Sequence, residues 1–96
     1  MNDKQRIHIM VAGRVQGVFF RDYTHRKAED LGLTGWVRNI PNNRVEIIAE
    51  GEKTKLLLFI DAIKIGPESA RVDNCQIEWQ DYTGEFKNFE IVYTMK

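Results

Sequence analysis

The stretch RIHIMVAGRVQGVFFRDYTHRKAEDLG, residues 6–32, decides the fold, because its hydrophobic period changes once, across a loop that carries two glycines. In residues 6–12 (RIHIMVA), Ile7, Ile9 and Val11 alternate with His8, Met10 and Ala12, which places the two sets on opposite faces of a β-strand. Neither set is strongly polar, so the strand is expected inside a sheet. From Gly13 to Phe20 the period is lost, and the segment reads as a loop. Residues 22–31 (DYTHRKAEDL) follow as a helix, with Thr24, Ala28 and Leu31 as its buried stripe and Phe20 leading in. Asp22 puts a carboxylate in the first turn, and Gly32 suits the left-handed residue that ends a helix.

Outward from this unit, residues 34–39 (TGWVRN) and 44–50 (RVEIIAE) form a hairpin around the turn Pro41-Asn42-Asn43. Residues 53–65 (KTKLLLFIDAIKI) form a second helix with a weak N-cap signal. Leu58, Phe59, Ala62 and Ile63 are expected in its core face, and Gly66-Pro67 stops it. Residues 71–80 (RVDNCQIEWQ) form a strand with Cys75, Ile77 and Trp79 on one face, Tyr82-Thr83-Gly84 turns the chain, and residues 88–94 (NFEIVYT) form a last short strand. Two split strand–helix–strand crossovers, right-handed by the twist rule, put both helices on one face of a mainly antiparallel sheet. The expected fold class is α+β, a ferredoxin-like sandwich (βαββαβ plus a short terminal strand). The pairing of the terminal strand is not written in the pattern.

Length and composition bound the function. Ninety-six residues suffice for one domain, taken as 1–96, and are too few for two. A hydrophobic content of 43% with 29% charged residues argues against disorder. Fourteen Lys and Arg balance fourteen Asp and Glu, so no global field holds nucleic acid or an anionic membrane, and any bound anion must be captured by local geometry. A single cysteine, Cys75, excludes an intrachain disulfide. No apolar run reaches membrane-spanning length, and MNDKQRIHIMVAG lacks the apolar stretch of a secretory signal. The expectation is a cytoplasmic monomer without nucleic-acid or membrane partners.

The loop Gly13–Arg21 (GRVQGVFFR) carries the chemistry. It joins a strand end to a helix start, where backbone N–H groups lack partners and the helix dipole adds positive charge. Gly13 and Gly17 permit backbone angles that let amides converge into an anion-binding nest, and the planar fork of Arg21 can hold two phosphate oxygens. The loop lacks the Gly-Lys-Ser/Thr ending of a Walker P-loop, so a nucleoside triphosphate with magnesium is not indicated. Taken singly, Arg21 is a surface arginine and Asn39 a strand-end turn former. Gln16 reads as loop scaffolding, Phe20 as a core anchor and Phe19 as a pocket rim. Arg14 and Arg38 read as solvated charge, His8 and His25 as structural, Cys75 as an inert core residue, and Trp36 and Trp79 as packing.

Residues 11–21 (VAGRVQGVFFR) resemble the acylphosphatase signature G-x-V-Q-G-V-x-F-R. Gly35-Trp36-Val37-Arg38-Asn39, with Val45 and Gly51, resembles that family's second signature. The similarity runs from about Ile7 to Tyr93. Asn43 departs from it, standing where the family usually has a turn glycine; asparagine tolerates positive φ well enough to preserve the turn. The resemblance implies that Arg21 and the amides of Val15, Gln16, Gly17, Val18, Phe19 and Phe20 bind a phosphoryl group. It further implies that Asn39 orients the attacking water, that the substrate is a small-molecule acyl phosphate, and that inorganic phosphate or similar anions act as product or inhibitor. No cofactor and no metal are expected. The chemistry is self-consistent: a carboxylic acid has a pKa of about 4, so the leaving group departs as an anion without a general acid. Two readings compete. An RNA-binding module would stack bases on exposed aromatics of a basic sheet, whereas the strand VEIIAE carries Glu46 and Glu50. A non-catalytic anion-binding regulatory domain would need Arg21 but not Asn39. The resemblance also points to related accessory domains fused in larger carbamoyl-transfer proteins.

Overall fold

A computed structural model describes residues 3–93. The chain runs β1 (Lys4–Arg14), α1 (Phe20–Asp30), β2 (Thr34–Ile40), β3 (Arg44–Glu52), α2 (Lys53–Ile65), β4 (Arg71–Gln80) and β5 (Phe89–Val92). The strands form one sheet in the order β4-β1-β3-β2-β5. β1 pairs antiparallel with β3 and β4, and β2 antiparallel with β3; only β5 joins in parallel, beside β2. This is the ferredoxin-like sandwich, with the terminal strand added as a fifth strand.

The alternation of β1 sets the core. Ile7, Ile9 and Val11 are fully buried under the helices, together with Val45, Ile47 and Ala49 of β3 and Val37 of β2. α1 contributes Phe20 and Ala28, and α2 contributes Leu56, Phe59, Ile60 and Ile63. The α2 face differs from the sequence reading. Leu58 is 54% exposed and Ala62 only half-buried. At about 100° per residue, Leu56, Phe59, Ile60 and Ile63 share one stripe and Leu58 falls on the opposite side. The run Leu56 to Ile60 is apolar throughout, so composition did not reveal which stripe faces the sheet. The N-terminus of α2 has no side-chain cap; the Lys53 N–H donates to the Asp3 carbonyl at 2.9 Å instead.

α1 starts at Phe20, two residues before the periodic pattern suggested. It ends as Gly32 requires: Gly32, at φ 69°, donates its N–H to the Glu29 carbonyl, and the Leu33 N–H reaches back to Ala28 at 2.9 Å. On β4, a bulge opposite Ala12 and Gly13 leaves Asp73 unpaired, so that Val72 and Cys75 both pack toward the core. A Cβ on Gly13 would collide with the Arg71 carbonyl oxygen, so this bulge at the entrance of the loop depends on glycine. Trp79 is 40% exposed at this sheet edge and packs less than the sequence suggested.

Because β4 and β5 lie at opposite edges, residues 81–88 must cross the sheet. Glu50 holds that crossing. Its side chain is buried and accepts hydrogen bonds from the Thr83 N–H (2.9 Å), the Thr83 hydroxyl (2.7 Å) and the Gly84 N–H (3.0 Å). Arg6, its cross-strand partner, lies 3.6 Å away and also covers the Phe86 ring. A buried carboxylate is tolerated only with such a full set of partners. The sequence reading had used Glu50 solely as negative charge on an open strand.

The corrected α2 face is testable by urea denaturation. Leu56→Ala should cost about 2–5 kcal/mol, because it leaves a core cavity. Leu58→Ala should cost less than about 1 kcal/mol, as expected for an exposed position. Equal losses would contradict the assigned face.

Candidate active site

Between the β1 bulge and α1 the chain alternates between core and solvent. Val15, Val18 and Phe20 are buried, while Gly17 and Phe19 are exposed. Three anchors thus fix the course of the six residues Val15 to Phe20. Gly17 (φ 70°) and Phe19 (φ 63°, ψ 24°) adopt left-handed angles, and left-handed residues set among right-handed ones aim successive N–H groups toward one point. Among the described residues, no protein group accepts the N–H of Val15, Gln16, Gly17, Val18, Phe19 or Phe20. The first α1 amide with a backbone acceptor here is that of Tyr23, bonded to the Phe19 carbonyl at 3.0 Å.

Two side chains brace the loop from outside. The Gln16 Nε2 donates to the carbonyls of Ile40 (2.8 Å) and Arg44 (2.9 Å), on either side of the β2–β3 turn. Both partners are acceptors, so the amino group must face them. The Ser69 hydroxyl donates to the Val18 carbonyl at 3.3 Å. In the turn, Asn42 (φ 69°) and Asn43 (φ 56°) are both left-handed, so Asn43 takes the conformation for which a glycine would otherwise be used. Gln16 therefore locks the loop to the hairpin that carries Asn39.

Loop and hairpin enclose a cavity of about 310 Å³. Val15 and Phe20 form its buried floor, Arg21 and Asn39 its half-buried wall, and Gly17, Phe19, Asp22 and Tyr93 its exposed mouth. The Asn39 Oδ1 is buried and, among the described residues, has no hydrogen-bond partner. An unsatisfied buried acceptor of this kind costs about 1–3 kcal/mol and calls for an explanation. Arg21 makes no ion pair among the described residues; its Cζ sits 4.8 Å from the centre of the Tyr93 ring. A cation–π contact orders the guanidinium without neutralising it, as a carboxylate would. Of the residues singled out in the sequence, Val15, Gly17, Phe19, Phe20, Arg21 and Asn39 meet here. The side chains of Gln16 and Val18 do not line this cavity; their backbone amides belong to the loop.

Sequence reasoning missed Tyr93. The parallel pairing of Arg38 with Val92 brings Tyr93 level with Asn39, and that pairing left no mark in the hydrophobic pattern. A larger cavity of about 490 Å³ lies across the loop, beside Arg14, Gln16 and Asn43. It has no counterpart of the Asn39 oxygen, and its Arg71 is paired with Asp73 at 2.9 Å.

The remaining candidates lie elsewhere. His8 and Arg38 both bind Glu46, at 2.8 Å and 2.7 Å, on the helix-free face of the sheet. Burial alone would raise the Glu46 carboxyl, but the hydrogen bonds from His8 and Arg38 hold it below its ordinary value. His25 pairs with Glu29 at 3.5 Å on α1. Burial pushes the Cys75 thiol up, which keeps it protonated and unreactive at neutral pH. Among the described residues, no group of three His, Cys, Asp or Glu side chains is arranged to hold a metal.

Fold and site together define a small α+β domain, a ferredoxin-like sandwich whose first strand–helix loop carries, among the described residues, unpaired amides and an arginine without an ion pair. The family model Acylphosphatase matches residues 7–91. An acylphosphatase of Pelotomaculum thermopropionicum is 44% identical over 90 residues, covering 94% of this chain and 98% of its own. The crystal structure of acylphosphatase from Bacillus subtilis superposes with a TM-score of 0.89 at 37% identity, covering 93% of this chain and 99% of its own. Full-length HypF in the phosphate- and nucleotide-bound form contains a similar unit, with a TM-score of 0.87 at 32% identity; the match covers 96% of this chain and 12% of HypF. The chain belongs to the acylphosphatase family.

Truncating the brace tests the site geometry. Gln16→Ala leaves the Ile40 and Arg44 carbonyls without their donor. It should cost about 1–3 kcal/mol of stability and weaken competitive inhibition by inorganic phosphate several-fold. Unchanged inhibition would show that the loop holds its shape without the hairpin.

Proposed function

We propose that Arg21 and the backbone amides of Val15, Gln16, Gly17, Val18, Phe19 and Phe20 bind the phosphoryl group of an acyl phosphate, and that Asn39 positions the attacking water. The chain is an acylphosphatase, a hydrolase that cleaves the carboxyl–phosphate anhydride bond to carboxylate and inorganic phosphate. The observation that carries the residue assignment is the buried, unpartnered Asn39 Oδ1 in the same cavity as Arg21 and the unpaired loop amides. A water O–H donating to that oxygen is held with a lone pair free for phosphorus. The bond that forms is from the water oxygen to phosphorus. The bond that breaks joins phosphorus to the acyl oxygen, which leaves with its electron pair as a carboxylate. The protons of the water remain with the phosphate product.

This division of labour suits the substrate. A loose phosphoryl transition state spreads charge over three equatorial oxygens, so fixed donors and correct placement supply most of the catalysis. The amides and Arg21 provide the donors without a metal, and Asn39 provides the placement. A non-catalytic anion-binding domain would have no use for the Asn39 oxygen. An RNA-binding reading would need an open, aromatic, basic sheet face; here Glu50 and Arg6 tie residues 83–86 across it. The reading takes residues 1–96 as a single acylphosphatase-like domain acting as a cytoplasmic monomer, with no nucleic-acid or membrane partner. Among the described residues, no helix is long and apolar enough to cross a membrane.

Hydrolysis of benzoyl phosphate provides the test. Turnover should be indifferent to EDTA. Asn39→Ala should lower kcat by about 10²-fold while inhibition by phosphate changes little, whereas Arg21→Gln should damage both. Wild-type turnover in Asn39→Ala would sink the water-positioning role, and loss of activity with EDTA would sink the metal-free mechanism.

A further inference from the structure

The mouth of the cavity is more apolar than an anion site requires. Phe19 is 76% exposed and Tyr93 is 73% exposed, and both line the opening above Arg21 and Asn39. Folding gives no reason for the first of these. Phe19 sits at φ 63°, a backbone region that strains a residue with a side chain and that glycine or asparagine fills more easily. Its ring displays apolar surface to solvent instead of burying it. Tyr93 is fixed by its contact with the Arg21 guanidinium, 4.8 Å from the ring centre, and so stands beside the phosphoryl position. The third exposed side chain at the mouth, Asp22, is negative.

We infer that Phe19 and Tyr93 form the acyl-group subsite, and that Phe19, Tyr93 and Asp22 together select uncharged aromatic or apolar acyl phosphates over those carrying a second anionic group. The inference rests on the acylphosphatase reading. With the phosphoryl group on the loop amides and Arg21, the acyl chain can leave the cavity only through the mouth, because Val15 and Phe20 close the floor. There it meets two aromatic rings and one carboxylate. An apolar acyl group loses hydration against the rings, whereas a second carboxylate or phosphate would be repelled by Asp22 and, among the described residues, would find no cation lining the opening besides the Arg21 already engaged. At about 310 Å³ the cavity lies at the small end of ligand clefts, which run from roughly 300 to 1,000 Å³, and so suits a small acyl group.

The test compares kcat/KM for benzoyl, acetyl and succinyl phosphates in the wild type, Phe19→Asn, Tyr93→Ser and Asp22→Asn. Using ratios between substrates, and following them across variants, cancels the intrinsic reactivity of each anhydride. Phe19→Asn preserves the left-handed backbone and should unfold at no lower urea concentration than the wild type. It and Tyr93→Ser should each lower the benzoyl-to-acetyl ratio by about fivefold, mostly through a higher KM for benzoyl phosphate. Asp22→Asn should raise the succinyl-to-acetyl ratio by about threefold and leave the benzoyl-to-acetyl ratio where it was. Acetyl phosphate turnover with ratios unmoved by all three substitutions would overturn the acyl subsite while leaving the hydrolase reading intact. A wild-type enzyme that turns over none of the three substrates would overturn both.

Discussion

The site depends on one constraint: six consecutive backbone N–H groups are kept without partners among the described residues, in a loop set between a strand and a helix. An isolated loop would satisfy them with its own carbonyls or with water. Here the side chains prevent that collapse. Val15, Val18 and Phe20 are drawn into the core, and the glycine-dependent bulge at Gly13 fixes where the chain leaves the sheet. The intervening residues are then forced outward, with left-handed angles at Gly17 and Phe19. The hydrophobic effect, acting on three side chains, holds the polar backbone in place. The shape of the loop is therefore a product of core packing.

The fold connects this loop to the other half of the site. Gln16 bonds to both sides of the hairpin turn, so the position of the loop and the position of Asn39 are set together. The terminal strand adds Tyr93, reached only because residues 81–88 cross the sheet under the hold of Glu50. On the proposed assignment, a neutral protein binds a dianion without a long-range field, since every contributing group is short-ranged and already oriented. The leaving group completes the economy of the design: a carboxylate needs no acid, so His8 and His25 can serve structural pairings elsewhere.

Much of this was legible in the sequence. The alternation of Ile7, Ile9 and Val11 and the change of period at Gly13 gave the strand–loop–helix unit, and the paired crossovers gave the sheet. Residues whose role follows from local chemistry, such as Gly32 at the end of α1 and Asn43 in the turn, could be read directly. What was hidden depended on tertiary choice. The apolar run Leu56 to Ile60 offers more than one helical stripe, and only the sheet decides that Leu58 faces outward. A four-residue strand carries no partner preference, so β5 beside β2, and with it Tyr93 in the site, was invisible. Glu50 looked like surface charge because its ligands, Thr83 and Gly84, lie more than thirty residues away. Arg21 was singled out by its place at the end of a two-glycine loop, Asn39 only by motif resemblance, and no periodicity would have marked either.

The most direct test of the central claim is a titration of the ¹⁵N-labelled protein with inorganic phosphate, followed by amide chemical shifts. Phosphate seated on the loop should shift the amides of Val15 to Phe20 together, with one common saturation curve. Arg21→Gln should weaken that curve strongly, and Asn39→Ala should leave it nearly unchanged. Shifts centred on Arg14 and Arg71, or a loop unmoved at saturating phosphate, would contradict the account.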